Sequence, residues 1–290
     1  GEKTRAALAG ANGSGKSTLL KALTGIIQAD NLKYALTKDA RISYLPQSDI
    51  VLPNKTVYDT AEEGYERFNA VLNSITELEE LTQSSDEKAL MAAERLSELH
   101  EELLDSGYYD RKARIETILL GLGFRNTDFS RLCNEFSGGY QMRIALARIL
   151  VENPDFLLLD EPTNYLDIEA ITWLEQYLRA FPGGVMIVSH DQGFLDGLVT
   201  EVYELFKGKL TRYAGNYTKY IETRQAEIEA LEKAYKKQQE EIEKTEEFIE
   251  RFRYKATKAK QVQSRIKALD KIEMIEIPDH LKKLSFSFPP

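Results

Sequence analysis

Three scarcities bound this sequence before any motif is read. Its one cysteine, Cys133, cannot close an internal disulfide, which excludes a disulfide-stapled scaffold and fits a reducing compartment. No apolar run approaches the roughly 20 residues that cross a bilayer as a helix. No membrane-spanning segment or membrane partner is therefore expected. The opening Gly1-Glu2-Lys3-Thr4-Arg5 leads into no secretory hydrophobic stretch. At 290 residues, 42% hydrophobic and 29% charged, the composition excludes disordered and collagen-like chains and leaves room for one or two domains. A cytoplasmic protein is the expectation.

What is present is unevenly spread. The net charge is −9, yet residues 57–112 hold 15 acidic against 5 basic side chains, and residues 251–267 hold 7 basic and no acidic ones. Fields act within a Debye length of roughly 8–10 Å, so each segment chooses its own neighbours.

Hydrophobic periodicity predicts strands at Arg5–Ala9, Arg41–Leu45, Phe156–Leu159 and Val185–Val188, and a hairpin of Glu201–Phe206 with Leu210–Tyr213. Helices are expected over Lys16–Thr24, Gly138–Glu152 and Asp167–Phe181, with an acidic, proline-free helical pattern from Thr56 to about Asp105. The alternation means an α/β fold with a largely parallel sheet. Beyond Gly215, residues Ile221, Ile228, Leu231, Tyr235, Gln238, Ile242, Thr245, Ile249 and Phe252 share one heptad seam of a long coiled-coil-like helix. A basic stretch follows, and Val262, Ile266 and Leu269 resume a helical stripe. An antiparallel helical hairpin with a basic tip is expected.

The chemistry-bearing residues come in order. Gly10-Ala11-Asn12-Gly13-Ser14-Gly15-Lys16-Ser17 follows a strand and opens a helix. It is the phosphate-loop pattern, in which glycines let backbone N–H groups approach phosphate oxygens. Lys16 would reach the β- and γ-phosphates and Ser17 would ligate Mg²⁺, with Thr18 beside it. Asp160 and Glu161 end an apolar strand. There Asp160 could hold Mg²⁺ through water, and Glu161 could orient or deprotonate the attacking water. Ser137-Gly138-Gly139-Tyr140-Gln141 opens a helix whose exposed N–H groups suit an anion. Gln47 and His190 follow strands; taken singly, each would be an ordinary polar residue at a strand end.

Together these pieces resemble the ATP-binding cassette ATPases. The resemblance implies a P-loop ATPase core with a helical subdomain, binding ATP and Mg²⁺. Gly10–Thr18 and Gln47 would contact the nucleotide, and Ser17, Gln47 and Asp160 the metal. Glu161 and His190 would be catalytic and Asp167 would form the turn after the acidic pair. Ser137, Gly138, Gly139 and Gln141 would act in trans on a nucleotide held by another cassette. The segment Asp160-Glu161-Pro162-Thr163-Asn164-Tyr165-Leu166-Asp167 narrows the resemblance to the ABC-F subfamily, although Tyr165 stands where many members have histidine.

The chain looks like that subfamily's first cassette plus linker. The cassette spans residues 1–215, with a helical signature subdomain and acidic arm-like insertion at about 57–150. The linker spans 216–277, and 278–290 lead toward a second cassette. The implied partners are that cassette or a homodimer partner, and the ribosome. The acidic arm would meet a ribosomal protein. The tip, with Arg251, Arg253, Tyr254, Lys255, Lys258, Lys260, Arg265 and Lys267, would meet tRNA or rRNA. The expected role is a translation or antibiotic-resistance factor; the alternative is the nucleotide-binding subunit of a membrane transporter.

Overall fold

The computed structural model describes residues 3–28, 40–48, 50–82, 87–252 and 258–269. The chain divides into two units, Gly1–Tyr217 and Thr218–Pro290.

In the first unit, β1 (Arg5–Ala9), β2 (Ile42–Leu45), β3 (Phe156–Asp160), β4 (Gly184–Val188), β5 (Glu201–Phe206) and β6 (Lys209–Ala214) form one sheet. The order is β2-β3-β4-β1-β5-β6. All neighbours run parallel except β5 and β6. That last pair turns through Lys207 and Gly208 at φ 46° and 75°, the twist a two-residue hairpin requires. β1 is buried along its whole length, as a strand covered on both faces must be.

α1 (Lys16–Leu23) leaves the glycine-rich turn and lays Leu19, Leu20 and Leu23 against Leu8, Leu158, Val188 and Leu205 of the sheet. This contact fixes the start of α1 at the carboxyl ends of β1 and β3. At the opposite end of β1, the Arg5 guanidinium donates to the carbonyls of Leu178 and Gly183, both at 2.7 Å, and to that of Phe181. It thereby ties the start of β1 to the last turn of α7 (Ile168–Ala180) and to the segment that follows it.

The helical pattern expected from Thr56 to about Asp105 is present as several separate elements. Thr56 caps α2 (Val57–Glu62), its hydroxyl accepting the Asp59 N–H at 3.1 Å. The chain then tightens into 3₁₀ turns over Glu63–Phe68 before α3 (Asn69–Leu81) and α4 (Glu87–Asp105). Close approach to α6 (Gly138–Glu152) is the cause: a Cβ on Gly64 would sit 2.8 Å from the Arg148 carbonyl oxygen and the Glu152 nitrogen. The same turns bury Tyr65 and Phe68. α5 (Arg111–Gly121) and α8 (Gln192–Leu198) complete the unit's described α-helices. α6 stops at Asn153, which is left-handed at φ 51°, just before Pro154.

The second unit contains α9 (Tyr217–Phe252) from its second residue onward and α10 (Ala259–Leu269). From Ile228 to Phe252 every residue of the heptad seam is partly sheltered, whereas Ile221 is exposed. The Arg265 guanidinium lies 3.9 Å from the Phe248 ring centroid, so α10 returns beside the last turns of α9. Arg265 thus covers an aromatic ring within the unit. Arg251, Lys260 and Lys267 are exposed, and Lys258 donates to the Gln261 amide oxygen at 3.0 Å. Arg253, Tyr254 and Lys255 lie outside the described residues.

Candidate functional site

Between β1 and α1 the backbone is shaped by residues that lack a Cβ. A Cβ on Gly10 (φ 152°) would lie 2.6 Å from the Leu205 carbonyl oxygen, and Gly13 and Gly15 are left-handed at φ 77° and 98°. Gly15 occupies the cap position of α1 without a capping side chain. The first-turn N–H groups there are consequently available to an anion. The Lys16 ammonium crosses the loop and donates to the carbonyls of Gly10 at 2.8 Å and Ala11 at 3.1 Å. Ser14 Oγ is buried and has no hydrogen-bond partner among the described residues, an orphan that a phosphate oxygen would satisfy.

The loop opens onto a cleft of about 440 Å³ lined by Asn12, Gly13, Gly15, Lys16, Ser17, Thr18, Gln47, Asp160, Glu161, Val188 and His190. Residues far apart in sequence meet here because β1 and β3 flank β4, so their carboxyl ends open on the same side. Gly10, Ala11 and Ser14 belong to the same turn and are not among the residues that line the cleft.

Asp160 ends β3 at 1% exposure. Its one side-chain donor among the described residues is Tyr44, whose hydroxyl donates to Oδ2 at 3.4 Å. Burial and the adjacent Asp160 charge push the Tyr44 hydroxyl up to about 12. A buried carboxylate held by a neutral donor is suited to a cation. With the Ser17 hydroxyl and the Gln47 amide lining the same cleft, the set of hard oxygen donors fits Mg²⁺.

Glu161 follows in the left-handed region at φ 54° and is only 4% exposed. Its N–H donates to the Val188 carbonyl at 2.8 Å, continuing the β3–β4 ladder by one bond. Its carboxylate accepts the His190 backbone N–H at 3.3 Å and lies 3.5 Å from His190 Nε2. Burial raises the Glu161 carboxyl above its usual range. His190, by charge and by its N–H, opposes that rise. The Thr163 and Ser189 hydroxyls, 3.3 Å apart, link the two loops.

Ser137 takes the cap position of α6, and its hydroxyl makes no bond to the helix. Ser137 and Gly138 are exposed, and neither lines the cleft. A Cβ on Gly139 would meet the Tyr165 ring at 3.2 Å. Gln141 reaches back to the Phe136 carbonyl at 3.0 Å. Asp167 caps α7 by accepting the Ala170 N–H at 2.9 Å. That bond and the Arg143 guanidinium at 3.1 Å hold its carboxyl below the usual range.

Sequence reasoning missed Arg143 and Tyr44. Arg143 is buried; it donates to the Tyr165 carbonyl at 2.8 Å and the Leu122 carbonyl at 3.0 Å, so α6 is fastened to the turn before α7. A charged residue beside the apolar run Ile144–Leu146 was the available signal. Tyr44 had none, because its proximity to Asp160 arises from the β2–β3 pairing.

Comparison with known proteins places the geometry. A family model described as ABC transporter matches residues 1–164, and a second with the same description matches residues 203–288. The chain is 32% identical to the ABC transporter ATP-binding protein YfmM of Bacillus subtilis, covering 98% of this chain and 55% of that one. It is 36% identical to ATP-binding cassette sub-family F member 3 of Homo sapiens, covering 98% of this chain and 39% of that one. The chain thus spans about half or less of the curated relatives it matches. The solved ATP-binding subunit of an ABC transporter superposes at TM-score 0.55 over 73% of this chain and 79% of that one, with 16% identity.

Proposed function

Because the chain belongs to the ABC transporter ATP-binding family, with relatives of the F type, we propose that it binds and hydrolyses Mg²⁺-ATP as one cassette of a paired ATPase. The observation that carries this reading is the convergence of Lys16, Ser17, Gln47, Asp160, Glu161 and His190 on one cleft beneath a cap-free helix start. Gly13 and Gly15 present backbone N–H groups to the phosphates, and Lys16 exchanges its carbonyl partners for phosphate oxygens. Ser17, Gln47 and Asp160 hold the metal, which when bound neutralises developing charge on the phosphates. Glu161 orients and deprotonates the attacking water. His190, whose backbone N–H donates to the Glu161 carboxylate and whose Nε2 lies 3.5 Å from it, holds that carboxylate in place.

Ser137, exposed and outside the cleft, serves a nucleotide held by another cassette, and Asp167 sits in the turn facing that partner. The second cassette is supplied by the same protein or by a second copy of this chain. As a whole the protein acts in the cytoplasm on the ribosome as a translation or antibiotic-resistance factor. Its acidic arm (α3 and α4) meets a basic ribosomal protein and the basic stretch 251–267 meets tRNA or rRNA phosphates. What supports this last part is the F-type relationship together with a segment of one sign on an otherwise acidic chain.

Fluorescent-ATP binding tests the core of the reading: wild type should bind, and Lys16→Ala should lose most of its affinity while keeping its fold. Equal binding by both would remove the phosphate loop from the site. Co-sedimentation with ribosomes in the presence of ATP tests the cellular part; protein found only in membrane fractions would contradict it.

A further inference from the structure

The β2–β3 pairing puts Tyr44 opposite Leu158, so its ring shares a sheet face with Leu158 and Asp160. This is the face that carries α1: Tyr44 packs against the cluster of Leu8, Leu20, Leu158, Val188 and Leu205, together with Leu19 and Leu23. Its hydroxyl consequently approaches Asp160 on the face that α1 covers, and it donates to Oδ2 at 3.4 Å. Among the described residues no lysine, arginine or histidine pairs with Asp160, although that carboxylate is 1% exposed. A carboxylate free to rotate would be a poor ligand, and a neutral donor fixes one oxygen without competing as a charge. Outer donors of this kind commonly set the orientation of ligands to metals.

We propose that Tyr44 is a positioning residue for the nucleotide's divalent cation, aiming the Asp160 carboxylate so that affinity for the metal, and not for the nucleotide itself, depends on the phenol. This rests on the reading of the cleft as a Mg²⁺-ATP site. Tyr44 touches neither substrate nor metal; it acts through Asp160. The ring also fills space in the apolar cluster, and Tyr44→Phe preserves that part.

The test is binding of a fluorescent ATP analogue to the chain, first in EDTA and then across a Mg²⁺ titration. For Tyr44→Phe the metal-free affinity should match wild type, while the Mg²⁺ midpoint should rise about 10-fold. Asp160→Asn should raise the midpoint at least as far, and adding Tyr44→Phe to it should change nothing further, because the phenol then has no carboxylate to aim. An unchanged midpoint in Tyr44→Phe, or additive shifts in the double variant, would overturn the assignment. Parallel losses of metal-free and Mg²⁺-dependent affinity would also overturn it, making Tyr44 a packing residue. A wild-type chain that binds no nucleotide would bring down the ATP-site reading itself, a result separate from wild-type binding with an insensitive Tyr44 variant.

Discussion

Glu161 carries two costs that its position imposes. A non-glycine residue at φ 54° costs about 1–3 kcal/mol, and its carboxylate is 4% exposed beside Asp160. The folded carboxyl therefore titrates above its unfolded value. Such a group contributes stability below its unfolded pKa, near 4.3, and that contribution is lost as pH rises through the raised folded value. Glu161→Gln should accordingly raise the melting temperature at neutral pH and flatten its decline as pH rises above about 4. The same variant should cut hydrolysis by roughly 10²–10⁴-fold as a lost general base, while nucleotide binding persists. Thermal melts and single-turnover assays on one preparation check both. A variant that melts below wild type with full turnover contradicts the account.

Residue identity at the site was largely legible because phosphate chemistry demands glycines, a lysine and a hydroxyl at fixed spacing. The strained φ of Glu161 and the links made by Tyr44 and Arg143 were not, since they arise from contacts between distant segments. Arg143 meets Tyr165, which lies 22 positions away.

Elements were legible where local chemistry set their ends. Asn153-Pro154 stops α6, and Asp167, at the start of the range expected for α7, caps it. Thr56 starts a helix as expected, but the helical pattern beyond it concealed the 3₁₀ turns at Glu63–Phe68, which packing against α6 imposes. The α5–α7 contact was equally hidden. A Cβ on Gly121 would fall well inside the Trp173 indole, whose ring stacks on Tyr177 at 5.2 Å. Gly121→Ala should thus destabilise the first unit by about 1–3 kcal/mol through overpacking, even though alanine is the better helix former. Urea unfolding checks this: a stability gain would mean that the two helices separate freely. Asp167→Ala should cost about 0.5–2 kcal/mol by removing the cap, in a melt at neutral pH.

At the scale of the whole molecule, charge is segregated, with basic residues at 251–267 on a chain of net charge −9. Replacing Arg251, Arg253, Lys255, Lys258 and Lys260 with glutamine should leave ATP binding intact and weaken ribosome association. It should also flatten the salt dependence by roughly 0.7–0.9 log units per lost phosphate contact. An unchanged slope in co-sedimentation would remove this segment from the nucleic-acid contact.

The central claim is that each ATP is completed by two cassettes, and mixing two crippled chains tests it most directly. Lys16→Ala disables the phosphate loop and Ser137→Arg disables the exposed signature serine, so each alone should hydrolyse no ATP. In a mixture, a heterodimer recreates one site from the intact loop of one chain and the intact serine of the other. Equal amounts should regain about a quarter of wild-type activity, as random pairing in a two-fold dimer dictates. Hydrolysis by the wild-type chain with no recovery on mixing, or full-rate turnover by Ser137→Arg alone, would contradict the account.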